Sequence, residues 1–373
     1  MACPFTRRQF LRQGSAAVGA GLLPAAVMDA ASAAPIRQYR RGGMLYRRLG
    51  QTDVYISALS FGSHTDPKYK RSSKLGQDLT EEGQARRDRL IDRAVDRGVN
   101  LVDIYNNAGQ WAPMARLVKD KRDKVQVSLC RQLPGLLGDI VDRGVKLFGD
   151  YVDLYRIYLG DGDGPDGKTL EDWDVMRKAK QAGKVRAIGI STHSARMMTA
   201  CLDHLEGLDY IMFPYNFIHA RADYTEFLPA AIEQGVGLIA IKPLAAGSIV
   251  RLDPAARAGA RPEGERVMLY QKQDTPILPE VVASLTEALG RLPDETLCQA
   301  ALRFVLSRKF MTAAMPGMFQ EYELDDNLSA LDRHLRIGQA EHDVFDAARR
   351  VARATEGSWL PRHYRWLDRQ WRV

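Results

Sequence analysis

From about residue 44 onward, short runs rich in β-branched and aromatic residues alternate with amphipathic stretches. Strand-like runs fall at Val54–Gly62, Val99–Tyr105, Lys124–Cys130, Val152–Leu159, Val185–Thr192, Tyr210–Tyr215, Gly237–Leu244 and Met311–Met315. Between them, helical patterns such as Glu82–Arg97, Leu170–Ala182 and Phe227–Gln234 each run into a glycine (Gly98, Gly183, Gly235), the residue that leaves a helix with least strain. One helix per crossover argues for a parallel sheet, and eight repeats argue for its closure into a (β/α)8 barrel over residues 44–335. A doubly wound open sheet is the competing arrangement, but no GxGxxG follows the first strand.

Two regions exceed such a barrel. Arg251–Asp274, rich in Ala, Gly, Arg and Pro, reads as a long loop after the seventh strand, of the length used for lids and binding loops. Residues 336–373, with a helix over Gly338–Arg353 and the aromatics Trp359, Tyr364, Trp366 and Trp371, read as a C-terminal helical extension flanking one end of the barrel.

Period-two alternation sorts the strand residues by face. On the third strand Gln126, Ser128 and Cys130 share one side, and Val125, Val127 and Leu129 the other. If the apolar side packs on helices, the barrel interior is polar there. Arg156 and Tyr158 share a face of the fourth strand, and Leu101, Asp103 and Tyr105 a face of the second. An arginine pointing into a barrel needs a carboxylate, and Asp103 is the obvious one.

The N-terminus is a different kind of sequence. Thr6-Arg7-Arg8-Gln9-Phe10-Leu11-Arg12 precedes a small-residue apolar stretch from Gly14 to about Val27, and Ala31-Ser32-Ala33 supplies an A-x-A exit. Residues 1–34 therefore read as a signal peptide. The string resembles a twin-arginine signal, which implies a folded protein passed to the twin-arginine export machinery, cofactor included, and delivered to the periplasm or beyond. The apolar run is too short to anchor in a bilayer, and no other stretch approaches spanning length.

Composition removes several classes. The formal charge is +7, but Lys and Arg are interspersed with Asp and Glu, without the basic stripe and interleaved aromatics of a nucleic-acid binder. A phosphate-bearing small molecule is a better use of the surplus. Cys3, Cys130, Cys201 and Cys298 form no CxxC pair, and no cluster of His and carboxylates stands out, so neither a metal site nor an iron–sulfur cluster is expected.

Several stretches in order resemble the aldo-keto reductases: Tyr46-Arg47-Arg48-Leu49-Gly50 with Ser60-Phe61-Gly62; Gly98-Val99-Asn100-Leu101-Val102-Asp103; Tyr151-Val152-Asp153-Leu154-Tyr155; Gly183-Lys184-Val185-Arg186 through Ser191; Pro214-Tyr215-Asn216; Lys242-Pro243-Leu244 with Gly247; Met315-Pro316-Gly317-Met318; and Asp326-Asn327-Leu328. The resemblance implies hydride transfer between NAD(P)(H) and a carbonyl, alcohol or sugar-like small molecule, assisted by a tetrad of Asp, Tyr, Lys and His. Asp103 matches the Asp. The other three positions fall on Ala108, Cys130 and Tyr158, so the resemblance also implies a largely replaced tetrad. A rebuilt site is one outcome, with Asp103 retained, Tyr158 or Tyr105 as proton donor and Arg156 or Arg131 as the cation beside it. An Asp103–Arg156 structural pair in a catalytically inactive barrel that acts as a binding protein is the other. Cys130 reads as an inert buried thiol.

For the cofactor, the resemblance places Ser191 and Thr192 at the nicotinamide carboxamide and Lys242, Leu244 and Gly247 after strand seven, with Lys242 near the pyrophosphate. It places Gly317 and Met318 where backbone N–H groups meet phosphate, and Asn327 at the adenine. Ile241 and Met212 depart from the family pattern. Glu323 falls where NADP-preferring members often carry Arg; a carboxylate there repels a 2′-phosphate and favours NAD(H).

Overall fold

In a computed structural model the described residues are 36–71, 78–105, 108–131, 135–160, 162–217, 219, 222, 225–247, 294–333 and 335, with backbone only at Tyr105, Ala108 and Ala246. The signal-like residues 1–34, the loop Arg251–Asp274 and the extension 336–373 lie outside them.

The chain enters through three antiparallel strands, β1 (Gln38–Arg41), β2 (Met44–Arg48) and β3 (Tyr55–Ser57). Seven parallel strands follow: β4 (Leu101–Tyr105), β5 (Gln126–Arg131), β6 (Val152–Leu159), β7 (Val185–Thr192), β8 (Tyr210–Pro214), β9 (Gly237–Ile241) and β10 (Met311–Met315), each hydrogen-bonded to the next in chain order. Residues 58–62 close the sheet. Leu59 bridges to Ala314 of β10 and Phe61 to Val102 of β4, both parallel. Ser60 N donates to Ala314 O at 2.9 Å, and Phe61 N to Leu101 O at 2.8 Å. The eight-membered ring is complete, and the fold is a (β/α)8 barrel. Gly62 permits the seam: a Cβ there would lie 2.5 Å from Pro316 O.

The expected strand Val54–Gly62 is thus two pieces. Tyr55–Ser57 pairs with β2, and the chain turns at Ser57, where Ser60 Oγ donates to Ser57 O, before joining the ring. The expected Gly237–Leu244 stops at Ile241 because Lys242 takes φ +53°. Val152–Leu159, Val185–Thr192 and Met311–Met315 form as expected.

Eight helices lie among the described residues: α1 (Glu81–Asp96), α2 (Ala108–Val118), α3 (Leu137–Phe148), α4 (Gly167–Gln181), α5 (Ala195–His204), α6 (Phe227–Glu233), α7 (Leu297–Ser307) and α8 (Glu321–Ser329). Thr80, Asp166, Ser194 and Thr296 cap α1, α4, α5 and α7 by accepting an early backbone N–H, which satisfies donors the helix cannot. Gly98, Gly183 and Gly235 have positive φ after α1, α4 and α6. None of the described helices is long and apolar enough to cross a membrane.

Two apolar cores result. Val125, Val127 and Leu129 face the helices, as alternation required, within the outer core. Leu101, Leu154, Ala187, Tyr210, Met212, Ile239 and Ala313 fill the ring, with Leu49, Val54 and Ile56 beneath them. The Leu49–Gly50 turn sits against Asp209 and Gly237, at the N-terminal ends of β8 and β9. One end of the ring is therefore plugged, and the chemistry belongs to the other, where the strands end.

Candidate active site

Just below the open mouth lies the ion pair that alternation anticipated. Arg156 Nη1 and Nη2 donate to Asp103 Oδ1 at 2.6 Å and Oδ2 at 3.0 Å, with Nη1 also reaching Ser128 Oγ at 2.8 Å and Nε reaching Ser191 Oγ at 3.2 Å. Arg156 is 2% exposed and Asp103 3%. Burial opposes the guanidinium's charge, but the Asp103 carboxylate more than offsets it and holds its pKa above the ordinary value. This fork-to-fork geometry leaves Arg156 a structural cation committed to the ring. Arg131 faces the other way, its Nη1 2.6 Å from Asp172 of α4. That removes it as the cation beside a proton donor, because its side chain leaves the strand on the helix side. Cys130 is buried, and burial pushes its thiol up to about 11 despite nearby Arg156, so it carries no thiolate at neutral pH.

Above that layer three side chains converge from strands four, five and seven. Tyr158, near the end of β6, is half-buried and meets the His193 ring edge-on, with centroids 6.0 Å apart. His193 follows β7 directly, and Lys242 Nζ lies 2.9 Å from its Nε2. Lys242 is half-buried as a residue, but its ammonium end is surrounded by protein, and that burial lowers its pKa to about 8. Asn216 Nδ2, at 3.0 Å, and Ala245 N, at 2.9 Å, both donate to Lys242 O, holding the left-handed backbone of the strand exit. From the first strand's exit comes His64, whose pKa is lowered to about 4, chiefly by burial and then by Lys242 and Lys70. The register of β4 against β5 slips between Asp103 and Tyr105, and the Tyr105 side chain lies outside the described residues.

His64 and His193 escaped the sequence reading. Each is a lone histidine one or two residues past a strand end, and only their shared position after strands one and five marks them.

The expected cofactor residues divide. Ser191 is 3% exposed and belongs to the Arg156 layer; Thr192 is fully buried, its Oγ1 accepting from Ser194 N at 3.2 Å. Lys242, Leu244 and Gly247 share one turn, with Gly247 N donating to Leu244 O at 3.0 Å. Gly317 is exposed and Met318 buried. Asn327 is buried on α8. Glu323 accepts from Phe319 N at 2.6 Å and Gln320 N at 3.1 Å, placing its carboxylate over the N-terminus of α8. Among the described residues no three His, Cys, Asp or Glu side chains gather as metal ligands.

Residues 73–349 match the Aldo/keto reductase family. The chain belongs to the aldo/keto reductase family. Like other members it is similar to oxidoreductases of known sequence. The "Uncharacterized oxidoreductase YrpG" of Bacillus subtilis is 26% identical over 360 residues, covering 87% of this chain and 100% of that protein. L-glyceraldehyde 3-phosphate reductase of Escherichia coli is 23% identical over 326 residues, covering 79% of this chain and 89% of the reductase. Among solved structures, the holo form of aldo-keto reductase AKR11C1 from Bacillus halodurans superposes with a TM-score of 0.61 at 21% identity, over 81% of this chain and 96% of that one. At that identity the likeness speaks for the fold.

An aldo/keto reductase works with a nicotinamide dinucleotide, and the mouth residues fit one. A Cβ built on exposed Gly317 meets only the His64 Cβ, at 3.9 Å, so the backbone there is open to close approach. Lys242 brings a cation to the neighbouring strand exit. An open backbone beside a cation suits a phosphate-bearing ligand at this side of the mouth.

Proposed function

We propose that this aldo/keto reductase is an NAD(P)(H)-dependent oxidoreductase, preferring NAD(H), that acts on a carbonyl, alcohol or sugar-like small molecule with a proton relay other than the family tetrad. The observation that carries this reading is the convergence of Tyr158, His193 and Lys242 above a sealed barrel floor. When bound, the dinucleotide supplies or takes the hydride. The Gly317 backbone would hold its phosphates, Asn327 its adenine end, and Ser191 and Thr192 would line the floor beneath the nicotinamide. Asp103 and Arg156 keep that floor charged but internally neutralised, so the proton must come from the layer above it. The Glu323 carboxylate, already receiving two backbone N–H groups at the α8 N-terminus, disfavours a 2′-phosphate beside it.

Fluorescence titration of the chain lacking residues 1–34 tests this. NADH binding is expected at least tenfold tighter than NADPH binding, about 1.4 kcal/mol. No binding of either overturns the reading. The closed Asp103–Arg156 pair favours a second reading, a barrel that binds dinucleotide without turnover; NADH binding with no oxidation over a panel of carbonyls would select it. Residues 1–34 are proposed to direct twin-arginine export. Replacing Arg7 and Arg8 by Lys should retain the protein in the cytoplasm, and unchanged periplasmic recovery would refute that.

A further inference from the structure

We propose that Lys242 is the proton donor of this mouth and that His193 positions it, an inference that rests on the oxidoreductase reading above. The strand exit is built to aim Lys242. A residue with a side chain rarely takes φ +53°, and here Asn216 Nδ2 and Ala245 N both bind the Lys242 carbonyl and hold it there. The ammonium then donates to His193 Nε2 at 2.9 Å, which takes one of its three N–H donors and requires a neutral imidazole with its proton on Nδ1.

The neighbouring groups make poorer donors. Arg156 is locked to Asp103, and Cys130 titrates at about 11. His64 is neutral above about pH 4. Arg87 donates to His64 O at 3.1 Å, and Lys70 is half-buried beside the same loop. Lys242, lowered to about 8 by burial, is charged at neutral pH and close to losing its proton, the condition a general acid needs.

In the reducing direction a bound dinucleotide would supply hydride to the carbonyl carbon as the C=O π pair moves to oxygen. A Lys242 Nζ–H bond breaks, the proton forms the alcohol O–H, and the neutral amine regains a proton from solvent. Oxidation runs the same path backwards.

The alternative for Lys242 is a pyrophosphate contact, and the two roles separate in measurement. With 4-nitrobenzaldehyde as probe acceptor, Lys242→Met should lower kcat by about 100-fold or more while NADH affinity changes less than about threefold. Lys242→Arg restores charge but is too weak an acid, so it should not restore kcat. His193→Gln, which keeps an acceptor, should retain more kcat than His193→Phe, and Tyr158→Phe should lower kcat less than Lys242→Met does. In protein labelled with 15N at histidine, the His193 Nε2 resonance should show a step near pH 8 that vanishes in Lys242→Met. Loss of NADH affinity with kcat kept, loss of kcat in Tyr158→Phe but not in Lys242→Met, or no step near pH 8 would each overturn the proposal and leave the oxidoreductase reading standing. If the parent protein oxidises NADH over none of a panel of carbonyls, both fall together.

Discussion

Replacing Asp103 by Ala would remove the carboxylate that receives two guanidinium N–H groups, at 2.6 and 3.0 Å, from an arginine 2% exposed. The charge would remain in the ring, with Ser128 Oγ and Ser191 Oγ among its acceptors. Breaking a buried pair from one side costs about 3–5 kcal/mol, because the surviving charge has lost the counter-ion that offset its burial. At a few degrees per kcal/mol, the melting temperature should fall by about 5–15 °C. The double variant Asp103→Leu/Arg156→Met exchanges both ions for apolar groups of similar size and should cost much less, giving a coupling energy of about 2 kcal/mol or more. Urea denaturation of the parent, both single variants and the double variant, followed by far-UV circular dichroism, yields the four terms of the cycle. A cost below about 1 kcal/mol for Asp103→Ala, or a double variant as unstable as the sum of the singles, would refute a structural role for the pair.

Two further outcomes follow from the packing and the titrating groups. Gly189→Ala would place a Cβ 2.5 Å from Tyr210 O and 2.6 Å from its ring, so it should destabilise the barrel by about 1–3 kcal/mol or prevent folding; a variant melting like the parent contradicts the interior packing. His64 refuses a proton down to about pH 4, whereas the unfolded chain accepts one near 6.5, so stability should fall as pH drops through that window and level off below it. The slope is at most about 1.4 kcal/mol per pH unit, reduced by partial exposure. His64→Gln should flatten the urea midpoint between pH 6.5 and 4.5, and parallel profiles would count against a buried neutral imidazole.

Much of the barrel was legible because strand faces obey a local rule. Period-two alternation put Val125, Val127 and Leu129 against helices and aimed Ser128, Arg156 and Asp103 inward, so the pairing of Asp103 with Arg156 followed from charge alone. The same rule puts Arg131, the last residue of β5, on the outward face with Leu129, where it binds Asp172 and is no cation for the site. The run Val54–Gly62 looked like one strand because its composition is uniform; only the competing partners, β2 on one side and β4 with β10 on the other, divide it.

The amino-acid order by itself determined how many parallel strands make up the ring, which way their side chains face and which buried charge needs which counter-charge, since each depends on neighbours two to four residues away or on a simple electrostatic demand. Ring closure decided what meets what at the mouth. Lys242 and His193 are 49 residues apart and lie after strands seven and five, so their 2.9 Å contact follows from strand register, the curvature of the closed sheet and one left-handed residue at an exit. Those are properties of the whole ring, and no local window of sequence contains them.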